Sequence, residues 1–167
     1  MEELIKELQA QNKTLSLIEA TSGVEVSRIF QTLKNKDKIF DSITVASVDS
    51  VKRLINSTPE NFDSLDQYYK FLTQVLGKKS SDFLSSDYGI GIICTKEVKG
   101  QTGNGLVFLS IYYSDFSKRI SYNCSPIPVN CNDATMATMI STYIIKQLKA
   151  IISMQKQNQT QKINKKR

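Results

Sequence analysis

The stretch Leu15-Ser16-Leu17-Ile18-Glu19-Ala20-Thr21-Ser22-Gly23-Val24-Glu25-Val26 decides the fold. Leu15 to Ile18 is a short apolar run, the pattern of a buried strand. Glu19 to Gly23 ends it in a turn. Val26, Ile29, Phe30 and Leu33 then recur at helical spacing, so the segment reads strand, turn, helix.

Outward from this unit the pattern alternates. Met1 to Gln11 reads as a helix with Leu4, Ile5 and Leu8 on one face, and Glu2 and Glu3 suit its N-terminal dipole. Ile43 to Ala46 reads as a second strand, followed by a short helix over Val51 to Ile55 that stops near Pro59. Phe62 to Leu76 is helical in pattern. Leu65, Tyr68 or Tyr69, Leu72, Val75 and Leu76 form its apolar face, and Gly77 is placed as its C-cap. Tyr88 to Cys94 is apolar throughout, which predicts a central strand. A strand from Gly105 to Tyr113 turns at Ser114 to Ser117 and returns over Lys118 to Cys124 as a hairpin. Asn132 or Asp133 caps a long last helix. Its expected buried stripe is Met136, Met139, Ile140, Tyr143, Ile144, Leu148, Ile151 and Ile152. The order predicts an α/β fold: a three-layer α/β/α sandwich whose mixed sheet combines parallel strands with a C-terminal antiparallel hairpin.

Composition fits one domain. The chain has 167 residues, 40% hydrophobic and 23% charged. No apolar run is long enough to span a membrane. The start, Met1 to Lys13, has neither the basic region nor the apolar core of a signal peptide, so a cytoplasmic location is expected. Cys94, Cys124 and Cys131 are too few and too irregular for a disulfide framework or a metal site. Histidine is absent, which removes Ser-His-Asp and Cys-His mechanisms and histidine metal ligation. Acid–base chemistry would fall to Lys, Tyr, Asp, Glu or Cys. The net charge of +6 is concentrated at the end. Five of the 22 basic residues follow Met154 without an acid, leaving 17 basic against 16 acidic residues before it. The expected division is a domain over residues 1–153 and a basic, disordered tail over residues 154–167. Lacking interleaved aromatics, that tail predicts at most weak, salt-sensitive, non-specific attraction to nucleic acid.

In sheets of this kind ligands sit at the carboxyl ends of parallel strands, beside helix N-termini. Glu19 to Gly23 and Ala46 to Lys52 fit that place. Together with Asp87 to Ile111 they resemble the CinA C-terminal, or nicotinamide-nucleotide amidohydrolase, family. That family carries an AESCTGG-type turn where this chain reads Glu19-Ala20-Thr21-Ser22-Gly23-Val24. Its VxYSNxxK segment corresponds to Val45-Ala46-Ser47-Val48-Asp49-Ser50-Val51-Lys52. Its DxALAxTGIAGP strand corresponds to Asp87 to Thr95, and its PVGTVYIA strand to Asn104 to Leu109. The resemblance covers nearly everything before the tail, although no single motif is intact.

Several implications follow from that resemblance. Active members hydrolyse the amide of nicotinamide mononucleotide with a serine nucleophile, a lysine and a tyrosine; no cofactor is implied. Carried over, Ala20 stands at the nucleophile position, and a methyl group cannot attack a carbonyl. Ser47 replaces the tyrosine, Lys52 matches the lysine, and Val24 replaces the second glycine of the turn. Glu19, Gly23 and Thr95 match, and with Ser47 they are the candidate substrate-binding residues. Lys96-Glu97-Val98-Lys99-Gly100 stands in place of GIAGP, and the arginine expected near Cys131-Asn132-Asp133 is missing. Thr21 or Ser22 could substitute as nucleophile with Lys52 as base, although a displacement of about 1 Å can cost about 100-fold in rate. The expectation is a catalytically impaired relative retained for nucleotide binding or assembly; the alternative is an active carbon–nitrogen hydrolase acting on nicotinamide mononucleotide. A pyridine mononucleotide and further copies of the chain are the implied partners.

Overall fold

Six consecutive buried residues, Leu15–Ala20, make strand β1 a core strand covered on both faces. The computed structural model describes residues 2–20, 26–32, 39–56, 59–95, 105–115, 118–129 and 133–164. Helix α1 (Glu2–Ala10) precedes β1. Helix α2 (Val26–Gln31), strand β2 (Phe40–Val45) and helix α3 (Val48–Ile55) follow it. A 3-10 turn at Pro59–Asn61 leads to helix α4 (Leu65–Leu84). Strands β3 (Tyr88–Thr95), β4 (Gly105–Asp115) and β5 (Lys118–Val129) precede helix α5 (Asp133–Asn164).

The five strands form one sheet in the order β2-β1-β3-β4-β5. Strand β1 pairs in parallel with β2 and with β3, whereas β3–β4 and β4–β5 are antiparallel. The apolar run of β3 therefore does lie at the centre, and the mixed sheet has the parallel half and the C-terminal hairpin that the sequence predicts. Side-chain alternation divides the core in two. Leu15, Leu17, Ile90, Ile92, Leu109 and Ile111 pack with α1, α2 and α5. Ile18, Ala20, Ile93 and Phe108 face the other way, against Val51 of α3 and Tyr68, Leu72 and Leu76 of α4.

Some local expectations are corrected. Gly77 is not a C-cap: it lies inside α4, which continues to Leu84 and is capped by Ser85 in the left-handed region (φ 50). Its role is close packing. A Cβ on Gly89 would lie 2.0 Å from the Gly77 carbonyl oxygen, and one on Gly91 would lie 2.2 Å from that of Thr73. These glycines let α4 rest directly on the backbone of β3. Strand β2 begins at Phe40, three residues earlier than expected: Phe40 already pairs with Leu15 of β1, and its ring stacks on Phe30 of α2 at 5.2 Å. Leu65, expected on the apolar face of its helix, and Met139, expected on the buried stripe of α5, are exposed. Helix α5 crosses the expected boundary at Ser153 and remains helical to Asn164. Gln and Lys are good helix formers, and two contacts hold this part to the body. The Tyr88 hydroxyl donates to Gln155 Oε1 at 2.7 Å, and Lys156 Nζ pairs with Glu7 at 2.6 Å.

The turn at Thr21-Ser22-Gly23-Val24, the 96–104 loop, Cys131 and the cap at Asn132 lie outside the described residues, as do the side chains of Thr95 and Cys124. Cys94 is buried. No described helix is long and apolar enough to cross a membrane.

Candidate functional site

The parallel register places the candidate segments at one end of the sheet. Ala20, the last residue of β1, is opposite Val45 of β2 and Ile93 of β3. Ser47 and Thr95 each lie two residues beyond those partners. Glu19, Ala20, Ser47 and Thr95 therefore share the carboxyl end of the three parallel strands, as the sequence predicts. Thr21, Ser22 and Gly23 follow Ala20 directly in the chain.

The local chemistry differs at each position. Glu19 is fully buried and points toward α2. Its Oε2 accepts from the Val26 N–H at 2.8 Å and, with Oε1, from the Ser27 N–H at 3.2 and 3.3 Å. Oε1 also accepts from the Ser27 hydroxyl and, at 3.3 Å, from the Thr44 hydroxyl of β2. Burial pushes the Glu19 carboxyl above its ordinary range, against the opposing pull of these hydrogen bonds. Expected as a substrate-binding group, Glu19 has both oxygens engaged within the protein.

Ala20 faces the opposite side of the sheet, as successive strand residues must. Its methyl group is fully buried with Ile18, Val51, Tyr68, Ile93 and Phe108. Aromatic rings extend this cluster: Phe62–Tyr68 at 5.0 Å, Phe62–Phe71 at 5.1 Å and Tyr69–Phe108 at 5.2 Å between centroids. The position assigned to the nucleophile is therefore filled with apolar core.

Ser47 is the N-cap of α3. Its backbone is extended, and its Oγ accepts from the Ser50 N–H at 3.2 Å. Lys52, one turn further on, pairs with Asp49 at 3.1 Å, and the Asp49 side chain is 76% exposed. This is an ion pair at the surface, within one helix. Among the described residues, no group of three or more Cys, Asp or Glu side chains is placed to hold a metal ion.

Sequence reading missed Ser27 and Thr44 as the partners of Glu19. Ser27 carried a weak signal, since a serine at a helix start commonly bonds locally. Thr44 carried none, because its proximity depends on the β1–β2 register. The aromatic cluster over Ala20 was also missed; the helical pattern puts Tyr68 or Tyr69 on the apolar face and does not show that Tyr68 joins Ala20 in one cluster.

Together these features define a three-layer α/β/α domain with sheet order β2-β1-β3-β4-β5 and polar candidates gathered at the carboxyl end of its parallel strands. Solved structures of CinA superfamily proteins share that fold. A CinA superfamily protein from Klebsiella pneumoniae superposes with a TM-score of 0.69 at 10% identity, covering 90% of this chain and 94% of that one. The competence/damage-inducible protein CihA from Agrobacterium tumefaciens gives 0.67 at 9% identity over 89% and 91%. A CinA superfamily protein from Enterobacter cloacae gives 0.63 at 14% identity over 88% and 89%. No family model and no curated protein sequence matches the chain.

Proposed function

We propose that this chain is a catalytically impaired relative of the nicotinamide-nucleotide amidohydrolases, retained for nucleotide binding or assembly. The observation that carries this reading is Ala20: a methyl group at the nucleophile position, sealed between Ile18, Val51, Tyr68, Ile93 and Phe108. A methyl group there has no atom that can attack an amide carbonyl, and it is buried. The other candidates support the same reading. Ser47 caps α3, Lys52 pairs with Asp49, and Glu19 binds α2 and β2. Each described polar candidate side chain already has a partner within the protein.

The discriminating experiment has two parts. Ammonia release from nicotinamide mononucleotide is expected to match a heat-killed control. Turnover that Lys52→Ala abolishes would instead establish the hydrolase, with Thr21 or Ser22 as nucleophile. Calorimetry with the same nucleotide then decides between binding, which gives saturable heat, and assembly, which gives none and leaves a concentration-dependent mass in solution.

A further inference from the structure

We infer that the edge of β2 is an interface with a second copy of this chain: two β2 strands pair antiparallel about Ile43 and join the two sheets into one. The inference gives a surface to the assembly side of the function proposed above. Its test needs no nucleotide, so either can fail alone. The sheet order leaves β2 and β5 at its edges. The β5 edge is a poor template for a further strand, because Pro126 and Pro128 have no N–H to offer. Strand β2 contains no proline. Just before it, the Ile39 carbonyl accepts from the Leu15 N–H of β1 at 2.6 Å. Backbone direction alternates along a strand, so Asp41, Ile43 and Val45 turn their amides and carbonyls to β1, while Phe40, Ser42 and Thr44 turn theirs outward. The Ser42 amide agrees: it donates to the Asp41 carboxylate at 2.8 Å. Gln31 donates only to the Ser42 hydroxyl, at 3.2 Å, which leaves the backbone of that residue to the edge.

Self-complementarity selects the register. Antiparallel pairing of the outward residues places the symmetry axis on a single residue near the middle of the strand. Centred on Asp41, it opposes two carboxylates. Centred on Ser42, it leaves each Ile43 opposite an Asp41 carboxylate. Centred on Ile43, Ser42 of each copy exchanges backbone bonds with Thr44 of the other, and the two Ile43 side chains meet where Cα atoms approach to about 4.5 Å. Ile43 is 39% exposed, whereas Val45 on the same face packs against the core of Val51 and Phe108. This register covers the exposed apolar side chain of β2 and keeps the Asp41 carboxylates apart. Asp41 opposes association, since it caps the Ser42 amide that pairing needs. Six paired residues a side bury less than the about 1,200–2,000 Å² of a stable complex, so the dimer is expected to be weak and concentration-dependent.

Sedimentation of the full-length chain over rising concentration tests the association. The parent should move from 18.8 kDa toward twice that mass. Ile43→Lys sets two ammonium groups face to face and should weaken association about tenfold, with an unchanged circular dichroism spectrum because the position is exposed. Asp41→Ala frees the Ser42 amide and should strengthen association about threefold. Oxidation reads the register. Ile43→Cys should cross-link to its counterpart, since about 4.5 Å between Cα atoms lies within disulfide range. Asp41 faces Val45 of the second copy in this register, so Asp41→Cys should not cross-link. The parent corrects for Cys94, Cys124 and Cys131. If Ile43→Lys does not fold, the two cysteine variants decide alone. A parent that stays monomeric at every concentration would overturn the inference, as would cross-linking of Asp41→Cys equal to that of Ile43→Cys. Association that Ile43→Lys leaves intact would keep assembly but reject this surface.

Discussion

The two ends of β1 use their polar residues differently. At the amino end, Lys13 pairs with Asp87 at 2.5 Å, and Asp87 also accepts from the Thr14 amide at 2.9 Å and the Thr14 hydroxyl at 3.1 Å. Ser16 lies 2.5 Å from Ser86 and accepts from Ser80 at 2.7 Å. This end is a clamp joining the α1–β1 and α4–β3 connections. At the carboxyl end, where ligand chemistry is expected, Glu19 serves α2 and β2, and Ala20 closes an apolar core. Polar density therefore does not mark function here. What separates the ends is that nothing at the first was expected to act, whereas every described polar candidate side chain at the second has been drawn into the structure.

The largest way to disturb this contrast is at the amino end. Gly89→Ala would drive a methyl group into the backbone of α4, and a loss of about 3 kcal/mol is expected from overpacking. Chemical denaturation measures it; a loss below about 1 kcal/mol would mean that α4 does not rest on the backbone of β3. Asp87→Ala removes one ion pair and two hydrogen bonds together, for about 2 kcal/mol. At the other end, Ala20→Ser combined with Ser47→Tyr restores the family's residues on paper. The serine hydroxyl would enter the cluster of Ile18, Val51 and Phe108, so the pair should cost about 1–2 kcal/mol and release no ammonia. Activity gained by this double variant would show that the apolar seal opens.

Acid titration separates the ends by sign. Burial alone would raise the Asp87 carboxyl, but the Lys13 ammonium and the Thr14 bonds outweigh it and hold it below its ordinary value of 3.8. Its contribution to stability is present above pH 3.8 and is lost as pH falls through the lowered value. Glu19 is raised above its ordinary value of 4.5, so the folded chain binds its proton first. That term strengthens the fold as pH falls toward 4.5 and weakens it as pH rises through the folded value. Unfolding followed from pH 7 to pH 3 should show Asp87→Asn losing acid sensitivity and Glu19→Gln losing the opposite slope. Slopes of equal sign would contradict the assignment. The smallest effect is expected from Lys52→Ala, below about 0.5 kcal/mol, since its partner Asp49 faces solvent.

The fold was largely legible because its signals are periodic. The run Leu15 to Ile18 and the apolar β3 each fix an element and its burial without knowledge of contacts, and the stripe of α5 fixes the helix. In one dimension a glycine such as Gly77 signals a helix stop; its close approach to Gly89 exists only in three. Leu65 and Met139 fit a helical stripe but are exposed, Leu65 at the very first residue of α4. At the site, gathering Glu19, Ser47 and Thr95 at one end follows from strand direction alone. The pairing of Glu19 with Thr44 and the aromatic seal over Ala20 depend on register and on α4, which no local pattern encodes.

The central claim, that Ala20 and its surroundings leave the scaffold without amide hydrolysis, is tested most directly by ammonia release from nicotinamide mononucleotide with the parent chain. The predicted result is release equal to that of a heat-killed control, with the native protein shown folded in the same sample. Steady release above that control, lost in Lys52→Ala, would contradict it.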